Sequence, residues 1–227
     1  MYLRTIIIIG LLFLGKICNP LYSQNKRDNQ NLDSKVQKFL ESHADQWFDL
    51  NIDEIDGKFL YDLILKKNYK NALEIGTSTG RSTIWIAWAL SKTGGKLITI
   101  EIDERRYRQA LQNFKEAGLS DYIDARLADA HDLVKELKGP FDFIFCDADK
   151  GWYKNYFIDL SPKLKKGGCY TAHNISEENQ AGRQSSRTNG MEEFLDYIKK
   201  QKNYVTKIDN HGGGISTSFK KSEDSHQ

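Results

Sequence analysis

Asn71-Ala72-Leu73-Glu74-Ile75-Gly76-Thr77-Ser78-Thr79-Gly80-Arg81-Ser82 is the stretch on which the fold turns. A short apolar run ends in glycine, and a helical pattern follows over residues 81–91. That order is strand, turn, helix. Gly76 and Gly80 let the backbone turn tightly and let a ligand lie against it. The turn is not G-x-G-x-x-G, whose three glycines seat a pyrophosphate on a helix N-terminus. A wider turn with Glu74 ahead of it suits a cationic amino-acid group instead.

Downstream the alternation continues. Strands are expected at 96–101, 122–127, 141–146 and 169–172, with helices at 104–117, 132–137 and 153–164. The run 141–146 is almost wholly apolar, so it belongs at the centre of the sheet, buried on both faces. A polar stretch, 176–189, is too rich in Ser, Glu, Asn, Gln and Arg to be core. A helix over 191–200 and an antiparallel hairpin, 204–208 with 215–219, close the chain. Ahead of residue 71, helices are expected from Asp33 or Ser34 to about 43, and over 57–67. The sum is an α/β fold: a doubly wound, mostly parallel, seven-stranded sheet with a C-terminal antiparallel hairpin.

Of 227 residues, 39% are hydrophobic and 28% charged, ordinary values for one globular domain and incompatible with wholesale disorder. Arg4, the apolar run 6–14, Lys16, Pro20 and small Ser23 follow the order of a secretory signal peptide, so 1–23 is read as a leader with cleavage near Ser23, an uncleaved anchor being the alternative. The apolar run is too short for a stable membrane span. Residues 24–34 are expected to be a flexible lead-in, 35–220 a single domain and 221–227 a tail. Arg4 and Lys16 are the only charges before Gln24, so the 33 basic and 31 acidic residues become 31 and 31 without the leader. A neutral chain without basic runs gives nucleic acid no electrostatic hold, which leaves small molecules as partners. Cys18 would leave with the leader, while Cys146 and Cys169 fall in buried strands as unbridged, inert thiols.

In such sheets a ligand sits beyond the carboxyl ends of the strands, where the strand order reverses. Glu101 ends the second strand, and a carboxylate there can accept both hydroxyls of a ribose. Asp129 and Ala130 follow the third strand, where an adenine edge would be read. The fourth strand ends at Asp147, with Lys150 just beyond, and the fifth ends at His173-Asn174. An acid, an imidazole and an amide oxygen at adjacent strand ends make an open site for a divalent cation, within reach of Lys150.

Taken together, Leu73-Glu74-Ile75-Gly76-Thr77-x-x-Gly80-x-Ser82, Ile98-Thr99-Ile100-Glu101, Phe141-Asp142-Phe143-Ile144-Phe145-x-Asp147-Ala148-Asp149-Lys150 and Ala172-x-Asn174 resemble the cation-dependent class I O-methyltransferases. Leu50-Asn51-Ile52 and Gly57-Lys58-Phe59-Leu60 match the family segment that closes over the cofactor. That group contains the catechol and caffeoyl-coenzyme A enzymes. The resemblance implies a Rossmann-like methyltransferase that moves a methyl group from S-adenosylmethionine to a hydroxyl of a small, catechol-type phenol. It also implies a divalent cation (Mg²⁺ or a first-row transition metal) and a homodimer. By the same resemblance Asn51, Ile52, Glu74, Gly76, Ser82 and Asp147 would hold the methionine part of the cofactor. Glu101 would take the ribose, and Asp129 and Ala130 would border the adenine. Asp147, His173 and Asn174 match the metal positions, and Lys150, with Asp147, the catalytic ones.

Two departures stand out. The family usually has Asp-Asn where this chain has His173-Asn174, and Ser216 stands near where animal catechol enzymes carry an acid for the second hydroxyl. Two other readings remain at this level: a non-catalytic S-adenosylmethionine-binding protein, and a nicotinamide-dependent oxidoreductase, against which the missing third glycine counts. The leader points to export, periplasmic or secreted, while the cofactor is expected in the cytoplasm.

Overall fold

The computed structural model describes residues 20–175 and 186–222. Most of the expected leader, the greater part of the polar stretch 176–189 and most of the tail lie outside the described residues. Helices α1 (Pro20–Ser42) and α2 (Glu54–Lys67) precede β1 (Asn71–Ile75). Then follow α3 (Arg81–Thr93), β2 (Lys96–Glu101), α4 (Glu104–Ala117), β3 (Ile123–Leu127), α5 (Ala130–Glu136) and β4 (Phe141–Cys146). The chain continues through α6 (Tyr153–Leu160), β5 (Leu164–His173), α7 (Ser186–Lys199), β6 (Tyr204–Asp209) and β7 (Ile215–Lys220). The strands form one sheet in the order β3-β2-β1-β4-β5-β7-β6. β1 to β5 pair in parallel, whereas β7 runs antiparallel to both β5 and β6. The expected doubly wound sheet with its closing hairpin is therefore the observed one.

Alternation along the central strands divides the core into two layers. On β4, Phe143 and Phe145 face a cluster with Val36, Leu60, Ile64 and Ile84 from α1 to α3. Ile144 and Cys146 face the opposite way, toward Val134, Phe157 and Phe194 from α5 to α7. β4 lies between β1 and β5, as its apolar run requires. Cys146 and Cys169 are free and buried. Their rungs differ, since Cys169 pairs with Phe143 and Cys146 with Ala172. Burial pushes the Cys146 thiol up to about 12 and raises that of Cys169 too, so both stay protonated.

Boundaries differ from expectation where local chemistry overrides periodicity. Among the described residues α1 is already helical from Pro20, ahead of the expected Asp33. No glycine or proline interrupts the run from Leu21 to Ser42. α6 stops at Leu160 because Pro162 allows only a 3₁₀ turn over Ser161–Lys163. β5 starts at Leu164, ahead of the expected 169; its Lys-Lys-Gly-Gly opening reads as loop, but a bulge lets Leu164 pair with Phe141. Among the described residues no helix is long and apolar enough to cross a membrane.

Candidate active site

Strand order reverses between β1, which leads outward to β2 and β3, and β4, which leads to β5. The carboxyl ends of these strands surround a cavity of about 540 Å³. Asn51, Gly76, Glu101, Asp129, Ala130, Asp147, Lys150, His173 and Asn174 all line it. Residues far apart in sequence meet here because each closes a parallel strand or lies just beyond it, apart from Asn51, which comes in from the segment before α2.

The wall under β1 depends on Gly76, which sits at φ 93°. A Cβ there would lie 2.2 Å from the Asp147 carbonyl oxygen, so only glycine lets the β1 and β4 ends come this close. Segment 49–52 closes down on the turn. Asn51 Nδ2 donates to Thr79 Oγ1 at 2.9 Å, and Arg81 donates to the Ile52 carbonyl at 2.9 Å. Glu101 is fixed by three backbone donors: Ser78 N–H at 2.7 Å on one oxygen, and Ile102 and Asp103 N–H at 3.0 and 2.9 Å on the other. Asp129 caps α5 through the His131 N–H at 2.8 Å. His131 in turn packs against Trp152 and Tyr156, giving this end of the cavity an aromatic floor.

Three residues read as cofactor contacts stand outside the lining. Ile52 is core, 2% exposed. Glu74 is fully buried beneath α3, with Thr83 and Thr99 hydroxyls donating to Oε2 while Oε1 has no partner. Burial pushes its carboxyl up to about 7, against the hydroxyls of Ser82, Thr83 and Thr99. Ser82 is buried in the first turn of α3. Alternation along β1 turns Glu74 into the α3 layer one rung below the cavity. Ser216 does not reach the cavity either: it is fully buried on β7 opposite Ala172, and its Oγ has no partner.

At the β4 and β5 ends the cavity floor is charged. His173 Nδ1 lies 2.9 Å from Asp147 Oδ2, and Nε2 lies 2.7 Å from Asp56 Oδ2. The Lys150 ammonium donates to Asp147 Oδ1 and to Tyr153 Oη, and that phenol donates to the His173 carbonyl at 3.2 Å. Asp56 and Tyr153 are members that sequence reasoning missed. An acid in the first turn of a helix reads as a dipole partner, and an aromatic at a helix start reads as core. Asp56 is 2% exposed and His173 4%.

Burial opposes the charged form of His173, but hydrogen bonds and charge from Asp147 and Asp56 outweigh it and raise its pKa to about 9. Burial would raise Asp147, yet His173 and Lys150 bring it down to about 2. The signs give a stability window. His173 contributes fully below its ordinary value near ~6.5, and loses that contribution as pH rises through about 9. Asp147 contributes fully above about 4 and loses it as pH falls through about 2. Thermal melts from acid to alkali should be highest between these limits and decline on the alkaline side. His173→Gln should flatten that alkaline limb; an unchanged limb would remove His173 as its source.

The expected metal trio is a different arrangement here. Both ring nitrogens of His173 face carboxylates, and both oxygens of Asp147 are engaged by cationic side chains. An imidazole that donates from both nitrogens has no lone pair for an ion. The donor set as folded does not fit a divalent cation.

A family model for O-methyltransferases matches residues 24–202. The chain belongs to the O-methyltransferase family. Among curated members it is 41% identical over 130 residues to a catechol O-methyltransferase of Niastella koreensis, covering 56% of this chain and 58% of that protein. Caffeoyl-CoA O-methyltransferase 1 of Eucalyptus globulus is 39% identical over 118 residues, covering 50% of this chain and 48% of that one. The chain thus spans about half the length of the curated relatives it matches. Among solved O-methyltransferases, the Bacillus cereus protein in complex with SAH superposes with a TM-score of 0.70 at 28% identity, covering 83% of this chain and 91% of that one. The Streptomyces achromogenes protein TomG, solved with SAM, superposes at 0.69 with 23% identity, covering 83% and 90%, a likeness of fold.

Proposed function

We propose that this O-methyltransferase moves a methyl group from S-adenosylmethionine to a hydroxyl of a small phenol. The observation that carries the reading is one cavity lined by the Glu101 carboxylate at its β2 end and by Lys150 at its β4 end. Its volume falls within the roughly 300–1,000 Å³ of small-molecule sites. Asn51, Gly76 and Asp147 would flank the methionine part, and Asp129 and Ala130 the adenine, over the aromatic floor. The bond that forms is acceptor oxygen to methyl carbon; the bond that breaks is methyl carbon to sulfur. The sulfonium becomes a thioether and the acceptor proton must leave. In its amine form Lys150 takes that proton, with Asp147 and Tyr153 holding Nζ in place. Much of the rate comes from orientation, since the walls hold oxygen, carbon and sulfur in line.

Incubation with methyl-labelled S-adenosylmethionine and a panel of phenols should label the phenol. SAH binding without label transfer to any acceptor would leave a binding protein and remove the enzyme. Glu101→Gln tests the ribose assignment. Gln keeps the shape but loses the charge and faces one turn N–H with an amide donor, so affinity for SAH should fall by roughly 1.5–3 kcal/mol, the scale of a hydrogen bond to a charged group. Calorimetry on folded protein reads this directly; an unchanged affinity takes Glu101 out of the cofactor site.

A further inference from the structure

The clamp on His173 has a role that its contacts define. Asp56 enters from the first turn of α2, Asp147 from the end of β4, and the imidazole from the end of β5. The β6–β7 loop closes the outer side. Gly213 N–H donates to Asp56 Oδ2 at 2.9 Å. A Cβ on Gly213 would lie 2.6 Å from His173 Nε2, and one on Gly212 would lie 2.5 Å from Asp56 Oδ1. Loop backbone thus packs directly on the clamp, which leaves no room on this side for an ion and its waters. An ion entering from the cavity would have to strip Lys150 or His173 from Asp147. If it took an imidazole nitrogen, it would cost Asp147 or Asp56 its bond to His173, and Asp56, 2% exposed, would keep only the neutral Gly213 N–H on that oxygen.

We propose that the Asp56–His173–Asp147 clamp stands in the place of a divalent cation, so that the chain binds no such ion beside Asp147 and orients its acceptor with its own charged residues. Asp56 is then a positioning residue, acting through His173. A consequence for specificity follows. A chelating ion selects acceptors with two vicinal oxygens, because it grips both. Without one, a single hydroxyl is enough, held by Lys150 and bordered by Asn174. This acceptor arm rests on the methyl-transfer reading above; the metal arm does not.

The test titrates Mn²⁺ and Mg²⁺ into the full chain, alone and with SAH, by calorimetry and by Mn²⁺ spin resonance. The wild type should take up neither ion saturably in the millimolar range. His173→Asp, which sets a third carboxylate between Asp56 and Asp147, should gain a Mn²⁺ site. Stoichiometric uptake by the wild type that Asp147→Asn abolishes overturns the proposal. So does a folded His173→Asp protein without uptake; if that variant fails to melt cooperatively, the wild-type titration decides alone. In the activity arm, chelator should change the transfer rate less than about twofold, and single-hydroxyl phenols should match catechols within about tenfold in kcat/KM. Loss with chelator that Mn²⁺ restores overturns the clamp. Absence of transfer to every acceptor removes the methyl-transfer reading and leaves the metal titration standing.

Discussion

Lys150→Ala is expected to lower methyl-transfer turnover by about 10²–10⁴-fold, the scale of a lost general base, while SAH affinity stays within about threefold. The separation follows from geometry. Nζ is held by Asp147 and Tyr153 at the β4 end of the cavity, while Glu101 stands at the β2 end. Removing the side chain takes away the proton's destination and a hydrogen-bond donor to Asp147, but nothing that faces the ribose. Lys150→Arg should not rescue, because a guanidinium cannot act as a base near neutrality. Single-turnover rates beside calorimetric affinity read both quantities. Turnover surviving within a few-fold would make Lys150 a partner of Asp147 only.

Gly76→Ala is expected to cost about 2–5 kcal/mol of folding stability, combining left-handed backbone strain with overpacking. The new methyl group would stand 2.2 Å from the Asp147 carbonyl oxygen, which is backbone and cannot rotate away. Asp147 N–H also donates to the Ile75 carbonyl at 2.9 Å, so pushing the strands apart breaks the first bond beyond the β1–β4 ladder. Cofactor affinity should fall with stability, because Gly76 and Asp147 form one wall. Denaturant unfolding reads the first and calorimetry the second. A stability loss under about 1 kcal/mol would mean the wall can relax, and the close approach would lose its importance.

The sheet was legible because its information is local. The run 141–146 is almost wholly apolar, so it had to be central, and the first four parallel strands carry a glycine or an acid at or just past their carboxyl ends, while the fifth ends in His173-Asn174. Gly76, Glu101, Asp147 and Lys150 were legible for the same reason, since strand ends in a doubly wound sheet share one rim. Glu74 and Ser82 were placed in the lining by family pattern, but the alternation of β1 and the first turn of α3 direct them inward. His173 was correctly brought beside Asp147, while its second partner was invisible. Asp56 lies 117 residues away on another element, and no periodicity links a first-turn acid to a strand-end imidazole. Ser216 shows the converse: its position near the last strands was right, yet β7 turns it away from the cavity.

The clamp also bears on how the molecule assembles. The Asp56 carboxylate accepts from residues 117 and 157 positions away in the chain. Contacts of such span must close very large loops, and that entropy has to be met before the contact returns anything. The parallel ladder from β1 to β4 can form from the first two-thirds of the chain, whereas the clamp waits for the hairpin turn at Gly213. During synthesis, therefore, the β1–β4 ladder can pair before Gly213 has been made, while the clamp at the β5 end cannot close until the hairpin turn is in place.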